Sequence, residues 1–321
     1  MRIEPVEIGQ ISEYLQQLGW DLHHDQVEPG RFGGIHHNIA IPTNKRVIVA
    51  NYTRTIYVHG NFPSDKTTFL VPGRETTTRW CGQQLALDTI RVLPPGDTGA
   101  MYFPAHSTDT VCSIDHSALE HTIHTLAPHS PLLAPHTRIL RLPTPCVERI
   151  RSLLESAPFC SPLALDSLGD QIISSICLAT EGPIGALASR NHWRCVRKVR
   201  EYVEDHPTDE PINLETLCRI TGVGARTLVS AFQAVTGVSP MRFIRNRRLN
   251  SARHALAKGR DDDELSVKSV ALAHGFWHMG RFANDYRTLF GEHPSATLRG
   301  PPDPVGVAQP LAISAKGAWI P

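Results

Sequence analysis

The sequence predicts an α+β protein with a β-rich N-terminal part and an all-α C-terminal part, and three observations lead to that prediction. Short runs rich in Val, Ile, Thr and Tyr, separated by Pro and Gly, fill residues 1–140. From about residue 147 onward, apolar residues instead recur at helical spacing. The length of 321 residues suits two domains of about 100–200 residues each.

The β-rich part contains many short predicted strands. The clearest candidates are Arg46–Tyr52, Thr55–Val58, Thr67–Val71 and Ala86–Leu93. Strands of this length and spacing are typical of a sandwich or a small barrel. A helical period occurs in this part only at Ile8–Leu18.

Two helices are predicted after Pro143, around Val147–Leu154 and Leu165–Cys177. They carry more apolar surface than a lone helix pair buries on one small barrel, which predicts a homodimer. The alternative is that both helices simply cover the barrel. Gly and Pro in Glu181–Ser189 predict a linker. The expected division is therefore 1–180, a linker at 181–191, a helical domain at 192–299 and a tail at 300–321.

Composition and charge narrow the class of protein. A hydrophobic fraction of 41% with 20% charged residues excludes a wholly disordered chain. No apolar run approaches the roughly 18 residues of a membrane span, and the start MRIEPVEIGQ does not resemble a secretory signal. Seven scattered cysteines without a CxxC spacing argue against disulfides and structural zinc, so we expect a cytoplasmic protein. Residues 191–299 hold 17 basic and 12 acidic residues, and this excess favours an anionic partner.

The C-terminal part contains a short helix–glycine–helix unit. A first helix, His192–Asp205, precedes a predicted helix Leu214–Thr221 that Asn213 can cap. Gly222 then allows a tight turn, and Ala225–Thr236 forms the next helix. This order is that of a helix-turn-helix, in which the second helix is free to enter the major groove of DNA.

The same unit occurs a second time. Ser266 can cap Val267–Ala273, Gly275 makes the turn, and a helix runs from about Trp277 to Leu289. Between the units lies a predicted helix Pro240–Ala257, with Ser239 as cap and Pro at its first position. At about 1.5 Å per residue it is about 27 Å long. A rod of that length can hold two recognition helices about 34 Å apart, one turn of DNA.

Residues 193–299 resemble the AraC family of transcription regulators. The resemblance rests on ITGVGARTLVSAFQAVTGVSPMRFIRNRRLNSARHAL and VALAHGFWHMGRFANDYRTLFGEHPSATLR. The FWH and LFGE-x-PS segments are similar to the subgroup that includes the ethanolamine-utilisation regulator. The resemblance implies a cupin-like N-terminal barrel that senses a small molecule or mediates dimerisation. It implies double-stranded DNA, a small-molecule effector and RNA polymerase as partners.

The resemblance also assigns residues to DNA. The groove-facing positions of the family match Arg226, Val229, Ser230, Met279, Arg281 and Asn284. On the connecting helix, Arg245 and Arg248 are the candidate phosphate contacts. Arg suits guanine and Asn suits adenine. Gly280 departs from the pattern because it offers no side chain. Arg226 and Arg281 either read base edges or only touch phosphate. Each arginine of the run Arg242–Arg248 either faces phosphate or pairs with an acid such as Asp285.

An enzyme is the alternative, as a cupin-type metalloenzyme with a helical appendage. His36, His37 and His106 are the candidate metal ligands, but adjacent residues of a strand point to opposite faces, and no Glu follows nearby. Cys112 with His106 or His116 is a weak thiol–imidazole pair, and no nucleotide-binding or hydrolase motif occurs. We therefore expect no cofactor and no metal. A DNA-binding architectural protein without an effector is a third hypothesis.

Overall fold

The computed structural model describes residues 2–3, 8–41, 44–74, 78–128, 130, 132, 139–178, 190–205, 212–261 and 264–300. The predicted linker Glu181–Ser189 and the tail from residue 301 lie outside these residues. So do two residues of the acidic run, Asp262 and Asp263.

The N-terminal part contains two antiparallel sheets. The strands are β1 Arg2–Ile3, β2 Asp21–Gln26, β3 Gly34–Ile41, β4 Lys45–Tyr52, β5 Ile56–Asn61, β6 Lys66–Val71, β7 Arg79–Trp80, β8 Gln83–Gln84, β9 Thr89–Leu93, β10 Thr98–Phe103, β11 Thr108–Asp115 and β12 Ile139–Arg141. One sheet has the order β1-β3-β4-β11-β6-β9-β12, and the other has the order β2-β5-β10-β7-β8. The predicted strands all lie in these sheets, although β9 begins at Thr89 and not at Ala86.

The larger sheet is buried on both faces, as the alternation along β4 shows. Val47 and Val49 belong to the core beneath the helices, whereas Ile48 and Tyr52 belong to the core between the sheets. Successive side chains of a strand point to opposite faces, so one strand supplies both cores. This explains why such strands are continuous apolar runs in the sequence.

Four helices belong to the N-terminal part. They are α1 Ile8–Gln17, α2 His116–Leu126, α3 Thr144–Ser156 and α4 Pro162–Leu178. The sequence did not predict α2, because only Leu119 and Ile123 are buried on it and they make too short an apolar period. Its first turn is fixed by Asp115, whose carboxylate accepts from the backbone N–H of Ala118 at 3.0 Å.

The apolar sides of α3 and α4 are covered within the chain. Val147, Ile150 and Leu154 on α3 are buried, as are Ile172 and Ile176 on α4, all against the larger sheet. The argument for a homodimer from unburied apolar surface on these helices is therefore wrong. The alternative, that both helices cover the sheet, describes the structure.

Seven α-helices follow in the described part of residues 190–300. They are α5 Arg190–Asp205, α6 Leu214–Thr221, α7 Ala225–Thr236, α8 Pro240–Lys258, α9 Val267–Ala273, α10 Met279–Phe290 and α11 Pro294–Arg299. The predicted order is correct, and α6, α7 and α9 have the predicted bounds. Helix α10 begins two residues later than predicted, with His278 at its N-cap. Pro240 opens α8, but the Ser239 side chain makes no capping hydrogen bond.

No helix of the described residues is long and apolar enough to cross a membrane. Within the same residues, no group of three or more His, Cys, Asp or Glu side chains is arranged to hold a metal ion. His36 and His37 lie on opposite faces of β3, His36 buried and His37 half-buried. Three histidines are buried in the sheets, namely His24, His36 and His59.

These buried histidines predict a loss of stability in acid. Burial is the main cause that lowers the pKa of His24 to about 3 and the pKa values of His36 and His59 to about 4. The unfolded chain binds these protons below about pH 6.5, and the folded chain only near pH 4. The free energy of unfolding should therefore fall as the pH drops from 6.5 toward 4, by up to about 1.4 kcal/mol per pH unit for each histidine.

Urea unfolding at several pH values measures this slope. His36→Asn should make it shallower, and the exposed His121→Asn should leave it unchanged. An unaltered slope in His36→Asn would contradict the assignment of a buried neutral imidazole.

Candidate nucleic-acid interface

Local sequence fixes the first helix–turn–helix unit, α6–α7. The side chain of Asn213 accepts from the backbone N–H of Thr216 at 2.9 Å, which caps α6. Gly222 has φ +74°, a left-handed conformation that glycine adopts without strain. Leu217, Leu228 and Phe232 are fully buried between the helices. The opposite side of α7 therefore remains at the surface.

The second unit, α9–α10, has its own core. Ser266 and Ser269 form a capping box at the start of α9. Phe282, Tyr286 and Phe290 of α10 are buried in a cluster that contains residues of α8–α11 but none from the sheets. The second unit is therefore attached to the sheets by polar contacts.

Most of the predicted groove-facing side chains are exposed. Arg226 and Ser230 are exposed on α7, and Val229 is 39% exposed beside them. Arg281 and Asn284 are exposed on the first half of α10. The opposite faces of α7 and α10 are packed in the cores of their units. Each helix therefore presents a polar surface in a fixed orientation.

Two positions at the start of α10 do not present an exposed polar side chain, unlike most of the predicted groove-facing positions. Met279 is half-buried and packs against the core of the second unit, so much of its side chain supports that core. Gly280 is exposed, and a Cβ built there would meet nothing within 4 Å. Nothing in the described part of the chain requires glycine at this helical position, and the helix backbone is accessible there.

The four arginines on α8 have different environments. Arg242 is exposed, and Arg245 is paired with Asp285 of α10. Arg247 faces the sheets. Arg248 is half-buried without an ion pair to any described residue, and burial lowers its pKa. Of the alternatives for this run, the structure places Arg245 and Arg247 in ion pairs.

Arg248 opens onto a groove between α8 and the second unit, here called the α8 groove. It has a volume of about 350 Å³, and Arg245 and Arg281 also line it. Trp277, 59% exposed, and Met241, 41% exposed, form apolar parts of its wall. Three guanidinium groups make this groove a favourable place for a row of phosphates.

A buried charge cluster joins α8 to the smaller sheet. Arg247 donates to the Asp25 carboxylate at 3.0 Å and to Glu204 at 2.6 Å. Burial alone would raise the pKa of Asp25, but the charge of Arg247, with His59 Nε2 3.6 Å from the carboxylate, lowers it to about 2. Nη1 of Arg200 lies 2.8 Å from Nδ1 of His59. We call the Asp25–Arg247 pair the latch.

The sheets also hold the C-terminal ends of both recognition helices. Arg79 of β7 donates to the carbonyls of Gln233 and Ala234, at 3.2 Å each, in the last turn of α7. At α10, the carbonyl of Leu289 accepts from the Gly30 N–H at 3.0 Å and from the Gln26 side chain at 2.7 Å. Helix C-termini have unpaired carbonyls and a negative dipole end, so these donors stabilise both helices.

Sequence reasoning missed these contacts. Gln26 and Asp25 are polar residues that are almost fully buried, but period-2 alternation in β2 cannot say which element covers them. Apolar packing also connects the two parts, because Phe243 of α8 contacts Tyr57 of β5 and Phe232 of α7, with ring centroids 5.6 Å and 5.3 Å apart. The first unit therefore shares its core with the sheets.

Comparison with known proteins agrees with this geometry. A family model described as "Helix-turn-helix domain" matches residues 217–300. The chain is 39% identical over 104 residues to the "XylDLEGF operon transcriptional activator 2" of Pseudomonas putida, covering 32% of this chain and 65% of that protein. It is 36% identical over 107 residues to the "Probable thc operon regulatory protein" of Rhodococcus erythropolis, covering 33% and 32%.

A solved structure, a "probable AraC family transcriptional regulator" from Rhodopseudomonas palustris CGA009, is 43% identical, with coverage of 32% of this chain and 94% of that one and a TM-score of 0.29. The chain spans less than two thirds of the length of the two curated relatives. All three similarities cover about a third of this chain, and the family model places the matched domain at residues 217–300. Residues 217–300 therefore form a helix-turn-helix domain that is similar to the matched parts of these transcription regulators.

Proposed function

We propose that the chain is a sequence-specific, DNA-binding transcription regulator that inserts α7 and α10 into successive major-groove segments. The observation that supports this most is the pair of exposed polar surfaces around Arg226 of α7 and Arg281 of α10. With 19 residues, α8 is about 28 Å long, which with the offset of its neighbours approaches one turn of DNA. Relatives named as transcriptional activators favour activation, with RNA polymerase as a further partner.

The N-terminal part, residues 1–180, is proposed to sense a small-molecule effector and to act on DNA binding through its contacts with α7, α8 and α10. The surfaces around Arg226 and Arg281 stay exposed while the C-terminal ends of both helices are held. Docking therefore fixes the spacing of the two helices without covering them, which favours the arrangement that binds DNA.

The domain boundaries, the oligomeric state, the cellular location and the subgroup are further proposals, and they rest on the sequence alone. A boundary at 181–191, a helical domain at 192–299 and a tail at 300–321 remain proposals, as do dimerisation and a cytoplasmic location. Similarity to the ethanolamine-utilisation regulator rests only on the FWH and LFGE-x-PS segments. The metalloenzyme alternative gains no support, because the relatives named above are regulators.

Salt dependence tests the phosphate contacts. DNA affinity should fall steeply with salt, with a log–log slope of about −0.9 per phosphate contact. Arg248→Ala should weaken binding to all sequences equally and reduce the slope by about 1, because Arg248 makes no ion pair with any described carboxylate. Fluorescence anisotropy with duplex DNA at several salt concentrations measures both. Lys258→Ala, on the same helix but beside Glu13 of α1, is the matched control. A DNA affinity that does not change with salt concentration would contradict the proposed arginine–phosphate contacts.

Base recognition is tested at Arg226 and Arg281. Arg281→Ala should cost about 1–3 kcal/mol of binding and relax preference at one base pair. Arg226→Ala should do the same about one helical turn away. Selection from a randomised duplex library measures both. Arg287→Ala, in the last turn of α10, is the control and should leave the preference intact. If both test variants lose affinity evenly across the library, these arginines only clamp phosphate.

The latch is tested by removing Arg247. Arg247→Met leaves the buried Asp25 carboxylate without its guanidinium partner, which should cost about 3–5 kcal/mol of stability in urea unfolding. Asp25→Asn combined with Arg247→Met should recover part of that loss. DNA affinity of the folded double variant should fall, because the helix spacing is no longer fixed.

Arg242→Met, an exposed arginine of the same helix, should leave the unfolding free energy unchanged. A rise in DNA affinity of the double variant would contradict the proposal, since docking would then oppose DNA binding.

A further inference from the structure

A small cavity lies between the two sheets, away from the DNA-facing surfaces. Its volume is about 50 Å³. A cavity of roughly 150 Å³ admits benzene, so this one admits a group of a few non-hydrogen atoms. Most of its wall is aliphatic and aromatic, including Ile48, Val58, Phe62, Met101 and Phe103.

Two buried nitrogen atoms of residues that line this cavity have no hydrogen-bond partner in the described chain. They are Nε1 of Trp20 and Nε2 of His36, on side chains that are each 2% exposed. The other ring nitrogen of His36 lies 2.6 Å from the Tyr52 hydroxyl. When that hydroxyl donates to Nδ1, Nε2 carries the proton, and both orphan atoms are donors. A buried unpaired donor is costly, so two around one space indicate a missing acceptor.

The charges around the cavity exclude an ionic ligand. Among the described residues, no Lys or Arg lines it, so an anion would find no counter-charge there. Asp109 is the acid in the wall, and its two oxygens already accept from the hydroxyls of Thr78 and Ser107. His24 and His36 are neutral, because burial lowers their pKa values to about 3 and about 4. An anion would therefore lose its hydration without compensation, and a cation carries no acceptor for the two unpaired donors.

We propose that this cavity binds a small uncharged molecule, or the uncharged end of one, whose carbonyl or ether oxygen accepts from Trp20 Nε1 and His36 Nε2. The apolar wall receives the hydrocarbon part next to that oxygen. The proposal deepens the effector response described above and rests on it only for the consequence of binding, since binding itself requires no DNA.

Strand β2 connects this cavity with the latch. His24 lines the cavity, and the next residue, Asp25, points to the other face and binds Arg247 of α8. Adjacent residues of a strand move together, so a ligand against His24 acts on the residue that holds the DNA-binding domain.

Nitrogen-15 NMR of the full-length chain tests the site through the indole N–H of Trp20, assigned with Trp20→Phe. Three probes of nearly equal shape differ in charge: acetone, acetate and acetamidinium. Acetone should shift the Trp20 indole resonance saturably and raise Tm, and the two ions should do neither. The indole of Trp277, which is exposed, is the internal control.

Val58→Ile, which fills the cavity and keeps both donors, should abolish the acetone response while the chain stays folded. A saturable response to acetate or acetamidinium would overturn the ligand class. No response to any probe, with the Trp20 resonance unchanged, would overturn the site and indicate water alone. If acetone binds but DNA affinity does not respond, the site stands and the effector role fails.

Discussion

The arrangement of this molecule depends on the buried pair between Asp25 of the smaller sheet and Arg247 of α8. A carboxylate at that depth is stable as an anion only with a guanidinium beside it, so the sheet and the helix must stay together. His59, Arg200 and Glu204 complete the cluster and leave neither charge alone. Because α8 also separates the two helix–turn–helix units, the pair that holds α8 sets the position of both units relative to the sheets.

The two units are attached to the sheets in different ways. The first shares an apolar core with them through Phe243, and that contact separates only if the core opens. The second has its own core and meets the sheets through the donors of Gln26 and Gly30 and through ion pairs such as Arg31–Glu292. The Gln26 contact is buried, but the Arg31–Glu292 pair is exposed and worth little, and no apolar core joins the second unit to the sheets. The second unit is therefore the one whose orientation can respond most easily to a change in the sheets.

Much of the exposed polar surface of α7 and α10 could be predicted from the sequence, because its signals are local. Caps such as Asn213 and Ser266, and turns such as Gly222, act within a few residues and fix which side of each helix is exposed. The prediction is weaker for the arginines of α8. Of the four arginines on this helix, Arg242 is exposed and Arg248 is half-buried without an ion pair to a described residue. Arg245 and Arg247 form ion pairs with Asp285 and Asp25, which are distant in sequence.

The sequence by itself determined the two-part architecture, the tandem helix–turn–helix units and the exposed polar faces of α7 and α10, since these follow from spacing and capping along the chain. Only the tertiary structure decided that α3 and α4 cover the larger sheet, that Arg247 faces inward, and that Arg79 and Gln26 hold the helix ends. The contacts of Arg247, Arg79 and Gln26 join residues more than a hundred positions apart, and a buried polar side chain does not specify its partner until the fold places one beside it.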